Sequence, residues 1–157
     1  MAHFNIIQLS SDKEDNKILV HRDFFNDPLF QDETDYIGDK LTGKDRRKAI
    51  EHFKNTIGAC ANIDIVNETL TFNDKETVKE LYIQQVQKAM SEFVESFADN
   101  RHGFGYYCLQ KGIKKLSYDT LFYYNDSGQT LASLLADYLD GYLPKTMYIG
   151  DIFDANP

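Results

Sequence analysis

One run of residues limits what this chain can fold into more than any other: the 27 positions from Asn73 to Asp99. Apolar residues stand at Val78, Leu81, Tyr82, Val86, Ala89, Met90, Phe93 and Phe97, mostly three and four apart, which is the spacing of one helical face. No Pro or Gly interrupts the run. Asn73 occupies the N-cap position and Glu76 follows in capping-box order, with Asp74 and Glu76 where the helix dipole favours negative charge. The spacing predicts a long central helix over 74–98, packed along its whole length. Ile83 and Val94 lie off the main stripe and would face a second layer or a partner chain, so a homodimer through this helix is one expected arrangement.

The flanking segments point to strands. Ala61, Ile63 and Ile65 alternate with Asn62 and Asp64, Asn67-Glu68 makes a turn, and Thr69 to Phe72 alternates again, a hairpin running straight into the helix. His3 to Leu9 reads as a first strand and Lys17 to His21 as a second. Arg22 to Leu41, with Pro28 and Gly38, has no clean period and is expected to be irregular apart from a helical turn near Pro28. A helix is expected from Thr42 as cap, with Ala49, Ile50, Phe53 and Ile57 inward and Gly58 as the C′ residue. Short strands are expected at 106–110 and 113–117, then a strand from Tyr118 to Tyr124. Asn125 to Gly128 reads as a loop. A third helix should occupy Thr130 to Tyr142 with Leu131, Leu134, Leu135 and Tyr138 inward, followed by a last strand, Thr146 to Phe153. Strands joined by short turns imply an α+β fold: a mainly antiparallel sheet with about three helices packed on one face. At 157 residues a single domain spanning 1–157 is expected.

Charge narrows the partners. The net charge is −8, which disfavours general binding to nucleic acid or to anionic membranes. The balance alternates along the chain: −6 over Ser11–Asp39, +4 over Lys40–Ile57, −5 over Gly58–Asn100 and −1 thereafter. No apolar run approaches the ~20 residues of a membrane span, and the N-terminus lacks the pattern of a secretory signal, so a cytoplasmic protein is expected. Cys60 and Cys108 have no disulfide-framework or zinc spacing and read as buried thiols. The histidines His3, His21, His52 and His102 match no metal-ligand pattern, although His3 and His21 would approach each other across a first hairpin. Neither a cofactor nor a metal is expected.

Arg101-His102-Gly103 resembles the short signature of histidine phosphatases, but it follows a long helix instead of the first strand. Its plain reading is a helix-ending turn. Asn125 to Thr130 opens a helix without the lysine or glycine spacing of a phosphate-binding loop. Two surfaces remain. The segment with Phe24, Phe25, Asp27, Phe30, Asp32, Glu33, Asp35 and Tyr36 interleaves aromatics and carboxylates, as interfaces with basic partners do; the alternative is that its aromatics pin it to the core. Lys44, Arg46, Arg47 and Lys48 form a basic patch on helix 44–54. The leading expectation is a non-catalytic protein acting through protein–protein contacts, such as an inhibitor or accessory factor of a basic nucleic-acid-handling enzyme. The alternatives are a small hydrolase-like enzyme with its site near Arg101 and His102, and a nucleic-acid binder using the basic helix.

Overall fold

The computed structural model describes residues 3–13, 21–99 and 120–156. Its centre is a strand that the sequence places last. β7 (Thr146–Asn156) is apolar on alternate residues toward both faces and pairs with three other strands. One edge takes β1 (Phe4–Ser10), antiparallel, from Phe4 opposite Ala155 to Ser10 opposite Tyr148. The other edge is shared: β4 (Thr69–Phe72) covers its first residues and β2 (Tyr36–Lys40) its last. β3 (Ala61–Asp64) pairs with β4 as the sequence predicts, β5 (Thr120–Tyr124) lies parallel to β1, and β6 (Ser127–Gln129) closes the far edge. Thus the sheet is mostly antiparallel, with one parallel pair, β1 and β5, joined by a long crossover.

The helices are α1 (His21–Phe25), α2 (Pro28–Glu33), α3 (Gly43–Ile57), α4 (Lys75–Asp99) and α5 (Leu131–Leu139). They do not all lie on one face, which corrects the sequence expectation of about three helices packed on a single face. α3, α4 and α5 cover a core containing Ile7, Phe53, Phe122, Leu134, Met147 and Ile152. α1 and α2 cover the opposite face, where Phe24 and Phe30 bury fully against Ile6, Tyr123 and Phe153. The reason is the sheet itself. Ile6-Ile7, Leu121-Phe122 and Ile152-Phe153 are adjacent apolar pairs on the inner strands, and successive residues point to opposite faces, so both faces need a cover.

Local structure departs from expectation in four further places. The Arg22–Leu41 segment holds two short helices and a strand. His21 opens α1 instead of ending a strand; 14–20 lie outside the described residues, as do the expected strands at 106–110 and 113–117. Asn125 (φ 49°) and Asp126 (φ 58°) form a two-residue left-handed turn between β5 and β6, so the expected loop is a hairpin. The cap of α4 is Asp74, not Asn73: its carboxylate accepts Thr77 N at 2.9 Å and Thr77 Oγ1 at 2.7 Å. Asn73 is engaged elsewhere. Its amide donates to Ala59 O, its backbone N–H donates to Cys60 O, and its carbonyl accepts from Tyr138 Oη.

Among its described side chains, α4 is not packed along its whole length. Val78 is buried, and Leu81 and Tyr82 pack against the core. Beyond Tyr82 no described side chain of α4 is buried; Val86 is half-buried, and Ile83, Met90 and Val94 are exposed.

Candidate interaction surfaces

The aromatic residues of the 23–39 segment divide sharply. Phe24 sits edge-on to Phe30, Tyr123 and Phe153, with ring centroids 5.6, 5.2 and 4.7 Å away. Phe24 and Phe30 therefore hold the segment to the sheet. Phe25 is 40% exposed and Tyr36 59%. Tyr36 lies over Gly38, where an added Cβ would stand 3.7 Å from its Cε1.

The carboxylates divide as well. Asp27 is the N-cap of α2: Oδ1 accepts Leu29 N at 2.9 Å and Phe30 N at 3.4 Å. Its Oδ2 accepts Gly128 N at 2.6 Å, tying α2 to β6 across 101 positions of sequence. Gly128 has no room for more, since a Cβ there would lie 2.5 Å from Asp27 Oδ1. Asp32, Asp35 and Asp39 are exposed, and none of them forms an ion pair among the described residues. Glu33 ends α2. On the inner side of this segment, burial raises the pKa of the Tyr123 phenol, and Asp126, Asp23 and Asp27 push it the same way.

The basic patch is built differently. Arg46 points into the sheet edge. Its guanidinium meets Glu68 through Nε–Oε1 at 3.0 Å and Nη2–Oε2 at 2.6 Å, while Nη1 donates to Gly150 O at 2.7 Å. This is the gap where β4 has ended and β2 has not begun, so β7 has no strand beside it on that edge. Around the gap, Ile149 N donates to Glu68 O and Leu41 N donates to Ile152 O, each at 2.8 Å. Arg46 thus substitutes for a missing stretch of strand. Glu68 holds a left-handed backbone (φ 51°) at the end of the β3–β4 turn. The other cations also have local acids: Arg47 pairs with Glu51 at 3.3 Å, Lys48 with Asp45 at 3.8 Å and, outside the patch, Lys40 with Asp151 at 3.3 Å. Lys44 is exposed at the start of α3.

The remaining candidates are quickly placed. His3 Nδ1 lies 3.0 Å from Asp154 Oδ2 at the exposed start of β1. Cys60 is buried, and burial raises its pKa, which keeps the thiol protonated and unreactive. Arg101, His102 and Cys108 lie outside the described residues. Among the described residues no three His, Cys, Asp or Glu side chains gather as metal ligands, and no helix is long and apolar enough to cross a membrane. Sequence reasoning missed the Arg46–Glu68 clamp and the Asp27 bridge, whose partners are remote in the chain. No known protein family, curated protein or solved structure matches this chain.

Proposed function

We propose that this is a non-catalytic binding protein whose α1–α2–β2 surface docks a basic protein partner. The observation that carries the reading is an asymmetry of charge use. Asp32, Asp35 and Asp39 are exposed without an ion pair among the described residues, beside the exposed rings of Phe25 and Tyr36. Arg46, Arg47 and Lys48, by contrast, are matched by acids of their own fold. Unpaired carboxylates around aromatic groups suit a partner that brings Lys and Arg, with the rings supplying buried contact and the charges supplying steering. A basic nucleic-acid-handling enzyme has such a surface, and an acidic protein occupying it would act as an inhibitor or accessory factor.

The test is affinity capture from the native host with mass spectrometry, run with the native chain and with D32K/D35K/D39K. The reading expects a stoichiometric basic protein held by the native chain, released as salt rises, and lost by the charge-reversed chain. Equal capture of that protein by both chains overturns it, as does tight binding of the native chain to DNA or RNA that weakens on replacing Lys44 and Arg47.

A further inference from the structure

We infer that the outer edge of β2 takes up an extended, Lys- or Arg-bearing segment of the basic partner as an added strand; the inference rests on the reading that the α1–α2–β2 surface docks such a partner. β2 is secured along one edge. At its two ends Asp35 N donates to Asn156 O at 2.9 Å and Leu41 N donates to Ile152 O at 2.8 Å, both toward β7. Among the described residues no strand pairs with its other edge. Backbone N–H and C=O groups alternate between the two edges of a strand, so about half of those on β2 are turned outward, in a strand already fixed in place. An edge of this kind binds peptides by main-chain pairing, and side chains choose among them.

The side chains around this edge choose cations. Asp35 precedes β2, Asp39 lies within it and Asp32 stands on the last turn of α2; all three are exposed, and none forms an ion pair among the described residues. The strand's own cation, Lys40, is 3.3 Å from Asp151 of the same sheet. Tyr36 adds a flat contact. Its ring lies over Gly38, which has no side chain to lift it, and the residue is 59% exposed. A Lys or Arg opposite Tyr36 on an added strand can lay its stem and its charge on that ring. Two observations of different kinds thus agree: open main chain on a strand fixed at both ends, and carboxylates without a cation among the described residues.

Other occupants fit less well. A second copy pairing β2 to β2 would set Asp35 and Asp39 of one chain against those of the other, and like charges across a strand pair are destabilising. Nucleic acid and anionic lipid meet the same acids. The register shift between Ile37 and Lys40 marks a bulge that twists the edge, so the added strand is short.

The probe is a short synthetic peptide alternating Lys and Val, titrated at low salt into the full, isotope-labelled chain. Amide signals over 36–40 should shift and their hydrogen exchange should slow, while a peptide alternating Glu and Val should leave them unmoved. Methylating every backbone nitrogen of the Lys peptide keeps its side chains and charge but removes its N–H donors, and the loss of main-chain bonds should weaken binding about tenfold. D35K/D39K should fold like the native chain and lose the Lys peptide. Equal affinity for the methylated and unmethylated peptides overturns the inference and leaves the basic-partner reading standing, because the carboxylates alone then hold the charge. No shift over 36–40 with the Lys peptide, or the same shift with the Glu peptide, overturns it as well. Capture from the host decides the underlying reading: a native chain that retains no basic protein removes that reading and the added strand with it.

Discussion

Arg46 offers the sharpest test of how this fold is held. Replacing it with Met keeps an apolar stem of similar length and removes all the donors. Two losses follow, of unequal size. The ion pair with Glu68 is bidentate, but the Glu68 side chain is 39% exposed and regains water, so that part counts about 0–1 kcal/mol. The Gly150 carbonyl is different. It sits on a buried residue of the central strand, on the edge where neither β4 nor β2 pairs with it, and stranding it costs about 1–3 kcal/mol. The expected destabilisation of R46M is about 2–3 kcal/mol, which for a domain of this size lowers the melting temperature by roughly 5–10 °C. Lys should not rescue, because one ammonium cannot reach Glu68 and a strand carbonyl in the guanidinium's forked geometry. Urea unfolding of R46M, E68Q and the double variant measures the coupling, expected at about 1 kcal/mol. K44A and R47A serve as controls and should stay within ~0.5 kcal/mol of the native chain. If R46M also stays within that margin, the guanidinium is not filling the gap, and Arg46 returns to the solvent-facing basic patch.

Three further outcomes follow. D27A removes the α2 cap, worth about 1 kcal/mol, and strands Gly128 N–H, adding a similar amount; a loss of about 2 kcal/mol in the free energy of urea unfolding, with faster hydrogen exchange at the Gly128 amide, is expected, and unchanged exchange there would contradict the bridge. D126G relieves a left-handed residue in the β5–β6 turn and completes the favoured Asn-Gly pair, so the chain should gain about 0.5–1 kcal/mol in thermal unfolding; a loss would mean that Asp126 holds something besides the turn. Hydrogen bonds from Asn67 lower the Asp64 pKa and those from Thr77 lower that of Asp74, so each carboxylate stabilises the fold fully above the ordinary Asp range and loses that contribution as pH falls through its depressed folded value. Acid unfolding of D64N/D74N should accordingly show a flatter pH dependence below about pH 4 than the native chain; parallel curves would rule these two groups out.

The parts of the fold visible in sequence are those governed by local rules. Ala49, Ile50, Phe53 and Ile57 are the buried face of α3, Gly58 ends it at φ 55°, and Thr130 caps α5 through Ser133 N. The β3–β4 hairpin forms, although its turn takes the four residues 65–68 instead of Asn67-Glu68 alone, so that Asp64 opposes Thr69. α1, α2 and β2 were obscured because elements of five or six residues are too short to display a period. Their need was nonetheless encoded in the doubled apolar residues of β1, β5 and β7, which leave no face of the sheet free for water. Arg46 defeated a local reading for another reason. On α3 it is one cation among several, and only folding brings it to partners 22 and 104 positions away. The same holds for Asp27 and Gly128, and together these two contacts remove Arg46 from the basic patch and Asp27 from the acidic surface.

What is left on the acidic surface acts through charge, and salt tests it. Asp32, Asp35 and Asp39 are exposed carboxylates, and at physiological ionic strength their field decays over about 8 Å. A partner must bring its cations to near contact, and its affinity must fall as salt is added. A contact made by apolar burial, by contrast, is not weakened by screening. Raising salt should therefore loosen a partner held by the α1–α2–β2 surface, and a complex that added salt leaves unchanged or tightens is held by other parts of the molecule.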